Sequence, residues 1–257
     1  ASRLAADTTF ISKVGKDGNA NFILEDFKKA GIHTQYILTS ESEETGQAFI
    51  TVDEAGQNTI LVYGGANMTL SATDVEMSVD AFIGADFVVA QLEVPFEAIE
   101  QAFKIARKQN ITTVLNPAPA IELPKSLLEL TDIIIPNETE AELLTGISIN
   151  NESDMKETAT YFLDLGISAV LITLGEQGTY CAYQEQYKMI PACNVKAIDT
   201  TAAGDTFIGA FLSELNKDLS NLESAIRLAN QASSLTVQRK GAQASIPTRK
   251  EVEAEYN

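Results

Sequence analysis

The chain has 257 residues, 45% of them hydrophobic, 21% charged, with a formal net charge of −18 at pH 7, enough to build a sizeable core in one large or two small domains. That charge speaks against nucleic acid or an anionic membrane as partner, since neutralising phosphates needs clustered Lys and Arg. No apolar stretch approaches the roughly 20 residues that cross a bilayer, and Ala1-Ser2-Arg3-Leu4-Ala5-Ala6-Asp7 has no signal-peptide apolar region, so a cytoplasmic location is the default expectation.

Ala1 to Ala6 reads as the end of a helix and no Met precedes it, which predicts that the chain lacks an upstream segment. Short runs rich in Val and Ile alternate with segments of helical period, the pattern of a parallel sheet covered by helices, so the fold class is α/β. Strands are expected at Thr9 to Val14, Phe87 to Gln91, Thr112 to Leu115, Asp132 to Ile135 and Ala169 to Thr173. Their continuous apolar character suits central strands buried on both faces. The only histidine, His33, falls in a predicted strand after Gly31, and an isolated imidazole gives no support to nucleophile-His-Asp chemistry.

Gly46 to Val52 and Asn58 to Tyr63 are β-prone runs joined by the turn-rich Asp53-Glu54-Ala55-Gly56-Gln57. They predict a hairpin, either a flap over a site or an edge hairpin without a role. Pro95 to Asn110 predicts an amphipathic helix with Phe96, Ile99, Phe103 and Ala106 on one face. Two more short strands, Tyr180 to Tyr183 and Tyr187 to Ile190, precede three closing helices around Thr206 to Asn216, Asn221 to Gln238 and Thr248 to Tyr256. Cys181 and Cys193 are the only cysteines and read as reduced packing residues. One main domain, 1–257, is expected.

The chemistry-bearing run is Asp199-Thr200-Thr201-Ala202-Ala203-Gly204-Asp205-Thr206. Small residues before a helix let backbone N–H groups approach an anion, and the positive end of the helix dipole favours negative charge there. A carboxylate at that mouth would repel a phosphate unless it has a task, and the task that fits is taking a proton from a hydroxyl attacking the phosphate. Asp205 as an ordinary helix N-cap is the competing reading.

The run Asp199 to Ala210 resembles the C-terminal signature of the ribokinase, or PfkB, family of carbohydrate kinases. Pro136-Asn137-Glu138-Thr139-Glu140, Thr173-Leu174-Gly175-Glu176-Gln177-Gly178 and Arg239-Lys240-Gly241-Ala242-Gln243-Ala244-Ser245-Ile246-Pro247 are similar to further family motifs, in the family's order. Gln91-Leu92-Glu93 and Asn116-Pro117-Ala118-Pro119-Ala120 resemble its ribokinase branch.

The resemblance implies a three-layer α/β/α fold with 46–63 as part of a β lid, and an ATP-dependent kinase phosphorylating D-ribose at its 5-hydroxyl. Another sugar, a nucleoside, or nucleotide binding without turnover are the alternatives. By the same resemblance Asp205 is the base, and the amides of Ala202, Ala203 and Gly204 form an anion hole. Asn137, Thr173, Gly175, Gly178, Gly204 and Asn230 contact ATP, and Glu93 with Asp205 contacts the sugar. Glu140 holds Mg²⁺ through water, although Asn137 and Glu140 also fit a plain capping box. Asp199, Thr201, Thr236, Gly241 and Ser245 hold K⁺, and lids pairing between subunits imply a homodimer. Ribokinases carry a further strand, lid segment, sugar-binding Asp and Gly-Gly-Lys-Gly-Ala-Asn type motif ahead of the point where this sequence starts, so the nucleotide half is expected intact and the sugar half incomplete.

Overall fold

A computed structural model describes residues 1–52 and 58–256, with side chains left out at 50–52 and 58–60; the predicted turn Asp53 to Gln57 lies outside the described residues. The first strands, β1 (Ser12–Val14) and β2 (Ile37–Thr39), flank helix α1 (Gly18–Lys29) and pair in parallel. Asp17 caps α1, its side chain accepting from the Ala20 amide at 2.9 Å. Strand β1 is shorter than the predicted Thr9 to Val14, because upstream only Thr9 bridges, to His33. His33 is therefore not in a strand; its Nε2 lies 2.8 Å from Asp7 Oδ1 on the surface.

Strands β3 (Gln47–Val52) and β4 (Asn58–Tyr63) pair antiparallel as a separate ribbon, as their β-prone sequences predict. Helix α2 (Ala72–Met77), opened by a Ser71/Asp74 capping box, leads to the main sheet. There β5 (Phe87–Ala90), β6 (Thr112–Leu115), β7 (Ile133–Ile134) and β8 (Ala169–Thr173) run parallel, and β9 (Gly178–Tyr183) and β10 (Gln186–Pro191) add an antiparallel edge, giving the order β10-β9-β8-β7-β6-β5.

The three layers follow from alternation along the strands. Val114, Ile133, Ala169 and Leu171 pack against α7 (Ala203–Glu214), α8 (Leu222–Val237) and α9 (Arg249–Tyr256). The intervening Ile134, Val170 and Ile172 pack against α6 (Glu152–Asp164), and Leu115 against α3 (Phe96–Lys108) and α4 (Lys125–Leu128). Ile99, Phe103 and Ala106 are buried along α3, as their spacing predicts. Helix α5 (Glu138–Thr145) begins just past the end of β7. No helix among the described residues is long and apolar enough to cross a membrane.

One boundary differs from its prediction in a way that matters. Helix α7 starts at Ala203 rather than Thr206, because Ala202 turns into the left-handed region at φ 61 and becomes the cap residue. Asp205 thereby enters the first turn of the helix, and no side chain among the described residues caps that end.

Candidate active site

The first turn of α7 is pinned from behind. Ser233 Oγ of α8 donates to the Ala203 carbonyl at 3.0 Å, and Thr236 Oγ1 donates to Thr206 Oγ1 at 3.0 Å, with both threonines buried. Phe207 and Phe211, one turn apart, stack at 6.3 Å and anchor the helix in the core. The exposed end is left with its polar groups uncommitted. Among the described residues no acceptor bonds the amides of Gly204 or Asp205, and a Cβ placed on Gly204 would meet nothing within 4 Å. The Ala203 amide, expected in an anion hole, instead donates to the Thr200 carbonyl at 3.2 Å. The Asp205 carboxylate is exposed and meets no arginine among the described residues; its Oδ1 accepts from the Gln91 amide, 3.2 Å away.

Gln91 and Asn116 were assigned no side-chain role from the sequence, yet they carry the site's connections. Each follows directly on a strand of the parallel pair β5/β6, whose last paired residues are Ala90 and Leu115, so the two amides are neighbours at the carboxyl end of the sheet. In open α/β sheets that end is where ligands bind. Polar residues set directly after apolar runs on adjacent strands are the signal that would have found them. Gln91 Nε2 donates to Asn116 Oδ1 at 2.7 Å; Asn116 Nδ2 donates to the Ile135 carbonyl at 2.8 Å and lies 3.5 Å from Glu140 Oε2. Glu93 emerges two positions on, exposed and without a partner among the described residues. The next loop is tied to this strand end by Leu92 N–H donating to the Ala118 carbonyl at 2.7 Å.

Asn137 and Glu140 do form the capping box of α5: Asn137 Oδ1 accepts from the Glu140 amide at 2.8 Å, and Glu140 Oε2 from the Asn137 amide at 2.9 Å. Asn137 Nδ2 also donates to Glu140 Oε1 at 2.9 Å. The carboxylate is buried, and burial pushes its proton affinity above the ordinary range. A carboxylate oxygen has two lone pairs, so Oε1 retains capacity for a metal-bound water. The donor set thus fits a solvated Mg²⁺ and no all-protein cage: no cluster of His, Cys, Asp or Glu able to enclose a metal occurs among the described residues.

Asp199 lies in a second loop system. Its oxygens accept from the Gly241 amide at 2.9 Å and the Thr201 amide at 3.0 Å, and these bonds hold its carboxyl down at about 2. Its own amide and that of Ile198 donate to the Val237 carbonyl, at 3.1 and 2.7 Å, just past Thr236. The structure therefore brings Asp199, Thr201, Thr236 and Gly241 together, and Ser245 is buried in a short turn three residues after Ala242, whose carbonyl its hydroxyl contacts at 2.6 Å.

The remaining nucleotide residues divide. Thr173 ends β8, beside Asn137, and Gly175 is exposed at φ 52 with open space where a Cβ would sit. Gly178 is not at the surface: it is buried at φ 112, where a Cβ would lie 2.2 Å from the Ile190 carbonyl oxygen, so glycine is required by strand packing. Asn230 is likewise engaged within the fold. Its Oδ1 accepts from Thr179 Oγ1 at 3.0 Å and its Nδ2 donates to the carbonyls of Ile190 and Pro191 at 3.2 and 3.1 Å.

Residues 1–249 match the pfkB family carbohydrate kinase. The ribokinase of Staphylococcus aureus (strain COL) is 64% identical over 251 residues, covering 98% of this chain and 83% of that protein. A bifunctional ribokinase/ribose-5-phosphate isomerase A of Fructilactobacillus sanfranciscensis is 51% identical over 98% of this chain and 47% of its own length. The structure of Arabidopsis thaliana ribokinase complexed with ribose and ATP superimposes with a TM-score of 0.89 at 32% identity, over 98% of this chain and 83% of that one. With an open helix mouth, an exposed carboxylate and this match along nearly the whole sequence, the chain belongs to the pfkB family of carbohydrate kinases.

Proposed function

We propose that the protein transfers the γ-phosphoryl group of ATP to the 5-hydroxyl of D-ribose, giving D-ribose 5-phosphate and ADP, with Asp205 as general base. The observation that carries this reading is the start of α7: an exposed carboxylate in the first helical turn, beside amides with no acceptor among the described residues, at an end that none of their side chains caps. Capping would have explained Asp205 without chemistry, and Ala202 holds the cap position instead. The kinship to ribokinases, one of them in complex with ribose and ATP, supports the choice of substrates.

In this reading Asp205 accepts the proton of the attacking hydroxyl while the Gly204 and Asp205 amides, with that of Ala202, stabilise charge on the transferring group. Glu93 accepts hydrogen bonds from the sugar. The nucleotide lies along Asn137, Thr173 and Gly175, and the buried position of Asn230 confines it to supporting the wall behind. When bound, Mg²⁺ neutralises charge on the phosphates; Glu140 would orient its waters. Asp199 and the carbonyls of Thr201, Thr236, Gly241 and Ser245 would hold K⁺, fixing the loop that presents the anion hole. The ribbon β3/β4 serves as lid of this single domain, and its exposed Phe49, Leu61 and Val62 support pairing with a second copy in a cytoplasmic homodimer.

Asp205→Asn should lower kcat at least about a hundredfold with ATP affinity unchanged, read by ribose-dependent ADP release and by calorimetry. Full turnover in that variant removes the base assignment. Nucleotide binding by the unaltered protein without ribose-dependent ADP release would replace the kinase by a nucleotide-binding chain.

A further inference from the structure

We infer that Gln91 is a positioning residue for Asp205, oriented by a one-way chain of amides that starts at the Ile135 main-chain carbonyl. The inference rests on Asp205 acting as the base.

The direction of the chain is fixed by chemistry. A main-chain carbonyl can only accept, so the Asn116 group 2.8 Å from Ile135 O must be its NH₂. The Asn116 oxygen is thereby turned to Gln91, 2.7 Å away, and an oxygen requires a donor opposite. Gln91 must then present its NH₂ there, and the second hydrogen of that same NH₂ points to Asp205 Oδ1 at 3.2 Å. Asn116 is buried and cannot rotate without stranding the Ile135 carbonyl or facing its own donors against Gln91. Gln91 therefore offers Asp205 a donor and never an acceptor. One carboxylate oxygen is held, and Oδ2 is left to receive the proton of an incoming hydroxyl. The same Asn116 NH₂ lies 3.5 Å from Glu140 Oε2, so the chain links the helix that carries the base to the carboxylate at the start of α5.

Gln91→Met keeps the length of the side chain and removes the donor. It should lower kcat about tenfold, the loss expected for one hydrogen bond to a charged group, with KM for ATP and for ribose within about twofold and the thermal unfolding midpoint unchanged. Gln91→Glu places an acceptor where a donor is required, so at about pH 8 its kcat should fall further than that of the methionine variant. Its kcat relative to the unaltered enzyme should rise in part as the pH is lowered towards about 5, where a carboxylic acid has one proton to donate in place of the amide's two. A glutamine that only braced Asn116 would lower the unfolding midpoint together with kcat, so the midpoint is read in the same pH series. Wild-type kcat in Gln91→Met, a loss confined to KM, or a Gln91→Glu ratio flat across pH each overturns the inference; should the methionine variant fold poorly, the pH series on the glutamate variant decides. Turnover retained in Asp205→Asn would instead overturn the base assignment, whatever the Gln91 variants do.

Discussion

The mouth of α7 and the seam between α8 and the β9/β10 edge are built from the same kinds of residue, glycine and short polar side chains, with opposite outcomes. At the mouth, among the described residues, Gly204 faces open space, the neighbouring amides lack acceptors and Asp205 keeps one oxygen without a partner. At the seam, Gly178 is closed off by the Ile190 backbone and Asn230 has its amide bonded on both sides. Residue type did not separate the two regions; residual hydrogen-bonding capacity did. Groups that the fold leaves unsatisfied at a surface are available to a ligand, and groups it satisfies internally hold the sheet together.

The sharpest way to break this contrast is Gly204→Ala. No described residue lies within 4 Å of the new methyl group, and replacing glycine in a helix stabilises by up to about 1 kcal/mol. The methyl would nevertheless stand where the phosphoryl group must approach the amides, so kcat should fall about a hundredfold, close to the loss of an anion-hole donor, while thermal unfolding moves up or stays put. Unchanged turnover would show that the open space at Gly204 is plain solvent.

Asn230→Ala sharpens the other side with the opposite signature. It removes the partner of the buried Thr179 hydroxyl and a donor to the Ile190 and Pro191 carbonyls, so unfolding free energy should drop by about 2 kcal/mol. KM for ATP should stay within about twofold. A variant with wild-type stability and a weakened nucleotide site would return Asn230 to the list of ligand contacts.

Most of the sheet was legible because its strands are continuous apolar runs, and Ile133, Ile134 and Val170 bury on both faces as such runs require. The hairpin was legible from turn chemistry. Of the candidate site, what the sequence made legible was position: Asp205 and Glu140 in first helical turns and Asp199 in a loop. What escaped was partnership: whether Asn230 faces a ligand or Thr179 depends on how α8 lies against β9, a contact between residues 51 apart. Gln91 and Asn116 escaped for the related reason that their pairing follows from β5 and β6 lying side by side in register, which chain order alone does not state. The start of α7 was misplaced because a left-handed alanine at position 202 runs against the preference of that residue, and bonds from Ser233 to Ala203 and from Thr236 to Thr206, distant in sequence, help to hold the turn.

The loop system around Asp199 lies between these extremes, since its carboxylate is engaged by amides yet remains at the surface. Its folded-state pKa is depressed, from an ordinary 3.8 to about 2, by the Gly241 and Thr201 donors. A depressed acid contributes stability that is fully present above the unfolded value and fades as pH falls through the folded one. The unfolding midpoints of the unaltered protein and of Asp199→Asn should therefore differ at neutral pH, by a small amount because the group is exposed, and should converge as the pH drops from about 4 towards about 2. If K⁺ binds here, added KCl should widen the neutral-pH difference and leave the acid end unchanged, because only the ionised carboxylate attracts the cation. A difference that persists below pH 2, or a response to KCl equal in both proteins, would mean that the loop is held by its backbone bonds alone and that Asp199 belongs with the closed seam rather than with the open mouth.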